Sequence, residues 1–189
     1  MRDETTPLSP EEIARISRRI QRPIALIGLM GVGKSTVGKR LAGLLEVDFV
    51  DADQEIEEAA QLSIPEIFTQ FGEQYFRDGE RRVIARLMEE HSGVVATGGG
   101  AFMDEETRRL ILERGIAVWI DCDLATLVER TGRKNNRPLL HGGDPATILA
   151  RLKAERDPVY AMAPVHVSSA NGPHTNTACA ILKAIDQWL

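Results

Sequence analysis

Five short apolar runs, at 24–29, 48–53, 93–97, 116–121 and 165–169, alternate with stretches of helical length along this chain. That alternation restricts the fold more than any other feature. Connections long enough to hold a crossover helix make the strands parallel, and runs such as "IALIGL" and "IAVWID" that are apolar on both faces imply a sheet covered on both sides. The expected architecture is a three-layer α/β/α fold. Right-handed crossovers then bring the C-terminal end of every strand to one edge, the edge where open α/β sheets bind ligands.

The helical stretches read as 34–46, a region from 54 to 91 broken near Ser63-Ile64-Pro65 and at Gly72, then 104–115, 124–132, 145–157 and a terminal helix. A further short helix opens at "SPEEIARISRRI", where Ser9 is set to cap, Pro10 fits the first helical position and Glu12 completes a capping box. At 189 residues, 43% hydrophobic and 27% charged, the chain has the size and composition of one core-forming domain. We expect a helical extension at 1–22 followed by a single domain at 23–189. The net charge of −5 opposes bulk binding to nucleic acid or anionic membrane, so an anionic ligand has to be gripped locally. Cys122 and Cys179 have no partner at metal-ligand spacing and suit core packing in a reducing compartment. No apolar run approaches the ~20 residues of a membrane span. These features predict a cytoplasmic protein.

The strongest local signal is "GLMGVGKST". Gly28-x-x-x-x-Gly33-Lys34-Ser35 is the spacing of a phosphate-binding loop, and it stands in the required context between an apolar strand and a helix. Glycines let successive N–H groups turn inward around phosphate oxygens, at a helix N-terminus whose dipole also favours anions. Lys34 is expected to reach the β- and γ-phosphates and Ser35 to ligate Mg²⁺, with Gly31, Val32, Gly33 and Thr36 completing the loop around a nucleoside triphosphate. The acceptor is left open by this motif, since water and a small molecule both serve. An acidic partner for the metal is sought at a strand end. Asp121 in "IAVWID" competes with Asp51 and Asp53 in "FVDAD", and the latter two, at i and i+2, would project to the same side of an extended chain. Capping of the following helix is the structural alternative for them.

Taken together, "GLMGVGKSTVGKRLA", "FVDAD", "FGEQYFRDGE", "VVATGGGA", "RTGRKNNRPLL" and "ERDPVY" resemble the shikimate kinases in order and spacing, from about Pro23 to Tyr160. The resemblance implies a five-stranded parallel sheet of the P-loop kinase type with a mobile lid, here at about 131–144. It implies transfer of the γ-phosphoryl of ATP to the 3-hydroxyl of shikimate, with Mg²⁺. We expect a monomer. Asp53 would bind the shikimate hydroxyls and act as base, and Asp51 would lie near the metal. Arg77 and Arg156 would clamp the substrate carboxylate, with Gly98, Gly99 and Gly100 as the substrate-side loop. Arg137 would reach the phosphates from the lid and Arg130 would lie over the adenine. Arginine forks match carboxylates bidentately, and their planes stack on bases. Outside the resemblance, Arg77 would read as a solvated helix charge and Gly98 to Gly100 as a plain loop.

Two other functions fit parts of the same pattern. A gluconate-type sugar-acid kinase shares the phosphate loop and a carboxylate-bearing polyol acceptor, but is not expected to pair "GGG" with "FRDGE". A non-catalytic ligand-sensing module shares the fold.

Overall fold

A computed structural model describes residues 7–132, 143–169 and 172–189. The chain runs α1 (Pro10–Arg19), β1 (Ile24–Ile27), α2 (Lys34–Leu45), β2 (Phe49–Asp51), α3 (Ala52–Ala60), α4 (Ile64–Glu90), β3 (Val94–Ala96) and a 3₁₀ turn (Ala101–Met103). It continues through α5 (Glu105–Arg114), β4 (Ile116–Asp121), α6 (Leu124–Gly132), α7 (Pro145–Tyr160), β5 (Val165–Ser168) and α8 (His174–Trp188). The strands form one sheet in the order β2-β3-β1-β4-β5. Every pairing is parallel, with Ile24 beside Val94 on one side and Ile116 on the other.

Every residue of β1 and β3 is buried, as are all but the last of β4, because helices cover both faces of the sheet centre. The edge strand β5 departs from that pattern. Val165 and Val167 are buried while His166 and Ser168 are exposed, so only one of its faces is covered. The main hydrophobic core collects side chains from the sheet and from the helices around it, including Leu41, Ile84, Phe102, Ile111 and Ile181. Its reach extends to the N-terminal segment: Ile16 of α1 is 1% exposed and belongs to the same core, and Arg15 and Arg19 pair with Asp186 of α8. The segment expected as an extension is therefore docked on the domain through both apolar and ionic contacts.

The helix punctuation follows the local chemistry. Ser9 and Glu12 form the reciprocal capping box of α1. Gln61, left-handed at φ 53°, ends α3, and Ser63 opens α4 through a second capping box with Glu66. Gly72 interrupts α4 with φ 83° and ψ 173°. The expected stop of α7 at Asp157 does not occur, and the helix runs through Pro158 to Tyr160. A proline this near the C-terminal end removes one helical hydrogen bond without ending the last turn.

Candidate active site

At the C-terminal end of β1 the chain turns through Gly28, Gly31 and Gly33, with φ values of 140°, 88° and 98°. Gly33 is the N-cap of α2, and no side chain caps that helix there. A left-handed N-cap disfavours any residue with a Cβ, and the first N–H groups of α2 are left pointing into the loop. Lys34 folds back over this loop, its Nζ donating to the carbonyls of Gly28 at 2.7 Å and Leu29 at 3.0 Å. Ser35 Oγ donates to Asp51 Oδ2 at 2.6 Å, which joins the loop to the end of β2.

Asp51 and Asp53 come together by a different route from the one expected. The strand ends at Asp51, and Asp53 lies in the first turn of α3 rather than on extended chain. Asp51 is the N-cap, its Oδ1 accepting from the Asp53 N–H at 3.1 Å. The alternation of an extended strand therefore has no part in the pairing, which is made by a helix cap. Burial pushes the Asp53 carboxyl above the ordinary aspartate value, and the neighbouring Asp51 charge pushes it further, against the pull of Lys34 and Arg77. A carboxylate in that setting accepts a proton more readily than one in water.

The second half of the site is assembled from three distant segments around Gly98 to Gly100, just past β3. Thr97 is buried and ties the end of β3 to β1, its N–H and hydroxyl both donating to the Leu26 carbonyl. Arg77, on α4, lies over Gly100 so closely that a Cβ there would sit 2.7 Å from two guanidinium nitrogens. Its Nη1 donates to Glu80 Oε2 at 2.7 Å. Glu80 is 2% exposed, and a Cβ on Gly98 would meet its Oε1 at 2.8 Å and Asp53 Oδ1 at 2.9 Å. The loop is glycine because two carboxylates and a guanidinium occupy the space that side chains would fill. On α7, Arg156 Nη1 donates to the Gly99 carbonyl at 3.1 Å, and the Tyr160 hydroxyl donates to the same oxygen. A Cβ on Gly99 would also lie 3.6 Å from the Gly28 carbonyl, so the two loops abut.

The structure thus gathers Lys34, Ser35, Asp51, Asp53, Arg77, Gly98, Gly99, Gly100 and Arg156 at one edge of the sheet. Arg130 stands at the flank of the phosphate loop, where its Nη1 donates to the Val32 carbonyl and Ser169 Oγ, each at 3.2 Å. Thr36 is exposed on the first turn of α2. Asp121, the rival acidic residue, is turned to Lys153, which it pairs with alongside Asp157. Arg137 and most of the stretch expected as a lid lie outside the described residues. Glu80 and Tyr160 were not foreseen. Each had a signal, because Glu80 follows Arg77 at i+3 and Tyr160 follows Arg156 at i+4, the spacings that put helix neighbours on one face.

A glycine loop between a central parallel strand and a helix with no side-chain cap, with a lysine folded over it and the aspartate that ends β2 at its serine, defines the P-loop kinase class. Within that class, the family model for shikimate kinase matches residues 30–186. The shikimate kinase of Novosphingobium aromaticivorans is 63% identical over the full length of both chains. The solved shikimate kinase of Acinetobacter baumannii, in complex with shikimate, superposes with a TM-score of 0.85 at 37% identity, covering 90% of this chain and 97% of that one. The chain belongs to the shikimate kinase family. A gluconokinase from Sinorhizobium meliloti, 17% identical with a TM-score of 0.56, covers 89% of this chain and 93% of its own, and shares the fold alone.

Proposed function

We propose that the protein transfers the γ-phosphoryl group of ATP to the 3-hydroxyl of shikimate, giving shikimate 3-phosphate and ADP. The observation that carries this reading is the substrate-side constellation: two arginines from separate helices, Arg77 and Arg156, set against consecutive glycines of one loop beside Asp53. Two guanidinium forks suit one carboxylate, and a carboxylate of raised proton affinity suits an adjacent hydroxyl. The solved A. baumannii relative that holds shikimate is built on the same fold.

Lys34 and the N–H groups from Gly31 to Thr36 cradle the phosphates, and Asp53 orients the acceptor hydroxyl and takes its proton. Arg130 lies against the nucleotide, and Arg137 reaches the transferred group from a lid at 131–144. The oxygen pair of Ser35 and Asp51, 2.6 Å apart, fits a hard cation that takes its remaining ligands from phosphate and water. Mg²⁺ held there would offset phosphate charge during transfer. We read 23–189 as the kinase domain and 1–22 as its helical extension. A cytoplasmic monomer acting on small molecules accords with the acidic composition, and among the described residues no helix is long and apolar enough to cross a membrane.

The test is ADP release with shikimate, with gluconate and with no acceptor. ADP formation that depends on shikimate is the expected result. Gluconate-dependent release would move the protein to the sugar-acid kinases, and shikimate binding without release would make it a sensor.

A further inference from the structure

The Gly99 carbonyl is held twice from the same helix. Arg156 Nη1 and the Tyr160 hydroxyl both donate to it, and a carbonyl with two lone pairs accepts both. The two donors differ in freedom. Tyr160 is wholly buried, its ring packed 6.1 Å from that of Trp119 on β4, so its hydroxyl stays where it is. Arg156 is half-buried on a long side chain. It is also the residue that the proposed reaction needs at the substrate carboxylate, and the present inference rests on that reading. A substrate carboxylate that takes the Nη1 N–H now spent on Gly99 would leave a partly buried carbonyl without a donor unless another remains.

We infer that Tyr160 is a positioning residue that keeps the Gly99 carbonyl satisfied while Arg156 turns to the substrate carboxylate. The hydroxyl thereby preserves the shape of the Gly98 to Gly100 loop and removes the competition between that carbonyl and the substrate for one guanidinium. Without it, Arg156 is the remaining donor of the pair on Gly99, and each substrate molecule has to draw the guanidinium away. Burial pushes the Tyr160 hydroxyl above the ordinary tyrosine value, against the pull of Arg156, so it keeps its proton and remains a donor at neutral pH.

The experiment compares wild type with Tyr160→Phe, using shikimate and its neutral carboxamide as acceptors. Losing one net hydrogen bond should raise the KM for shikimate about ten-fold, with kcat within about two-fold and the KM for ATP unmoved. With the carboxamide, which makes no claim on a guanidinium charge, wild type and variant should have the same kcat/KM. A merely structural tyrosine would instead lower kcat, raise both KM values and penalise both acceptors alike, and that outcome overturns the inference, as does no change at all. Should Tyr160→Phe fail to fold, p-aminophenylalanine and p-methylphenylalanine at 160 provide a size-matched pair with and without a donor. The same difference in shikimate KM is expected between them, and equal values refute it. A wild type that transfers nothing to shikimate would sink the proposed reaction itself, and binding of shikimate by wild type and Tyr160→Phe, measured by calorimetry, would then decide the role of Tyr160 by the same ten-fold criterion.

Discussion

The phosphate loop and the substrate-side cluster meet at Gly28 and Gly99, yet they are built in opposite ways. The loop is nine consecutive residues fixed at one end by β1, whose four residues are all buried. The substrate side draws on α3, α4, the segment after β3 and α7, spread over more than a hundred residues of sequence. Its supports are also thinner: α3 and the start of α4 pack around Ile56, Ile67 and Phe76, a satellite core separate from the main one. Phe71 and Tyr75, 51% and 49% exposed, stack on each other across the Gly72 break. A site half made of contiguous backbone binds through geometry set before any ligand arrives. A half made of side chains on separate elements depends on their mutual pairings, and it is there that buried charges such as Glu80 appear.

Two substitutions break the comparison at its strongest points. Lys34→Met should reduce turnover by about 10³-fold or more, the scale of losing a charge that stabilises the transferred group. Its thermal midpoint should stay near that of wild type, because the two carbonyls that Lys34 Nζ meets, those of Gly28 and Leu29, belong to its own loop. Near-native turnover would remove Lys34 from the chemistry. Asp53→Asn should lower kcat by about 10²-fold, the lower end for a positioned base, while ATP affinity hardly moves. An equal fall in ATP affinity, measured by calorimetry, would place Asp53 on the nucleotide side and exchange its role with that of Asp51.

The same contrast explains what the sequence made legible. Alternating apolar runs predicted the parallel sheet, and fixed spacing located the phosphate loop, because both are local patterns that the backbone must obey. The pairing of Asp51 with Asp53 was anticipated on the wrong grounds: a strand three residues long hands over to a helix, and the cap brings the two carboxylates together. Arg77 and Arg156 became candidates only through resemblance, since no local rule distinguishes Arg77 from its neighbours in "RDGERR". Glu80 looks like a surface charge until α4 is laid against the glycine loop. Tyr160 lies past Asp157, where the expected helix stops, and α7 in fact runs through Pro158 to carry it.

A smaller effect sharpens the comparison on the substrate side. Gly100→Ala places a methyl group 2.7 Å from both terminal nitrogens of Arg77 and 3.0 Å from its Cζ. The obstructed group is the tip of a flexible side chain, so the fold should survive with the guanidinium displaced. The expected result is a rise of about ten-fold in shikimate KM, about one charge-assisted hydrogen bond, with nucleotide affinity unchanged. A lowered thermal midpoint at constant KM would show that Gly100 serves packing and that Arg77 has no part in holding substrate.

The smallest expected effect separates the stability of the substrate side from its function. Burial raises the Glu80 carboxyl above its ordinary value of 4.5, and the charges of Asp53 and Asp104 add to this, more than Arg77 can offset. With the folded value above the unfolded one, the folded protein binds more protons in the interval between them, so Glu80 supports folding most below pH 4.5 and loses that support as pH rises through its folded value. Glutamine cannot titrate. The thermal midpoint of Glu80→Gln minus that of wild type should therefore be lowest near about pH 4 and climb by about a few degrees toward about pH 8. The variant also removes the buried anionic partner of Arg77, leaving the exposed Glu73 at 3.6 Å, and shikimate KM at neutral pH should rise severalfold while ATP affinity stays put. A midpoint difference that is flat with pH would mean that the ion pair fully compensates the buried carboxylate. The substrate side would then hold no stored electrostatic cost, and the contrast with the phosphate loop would reduce to one of chain connectivity.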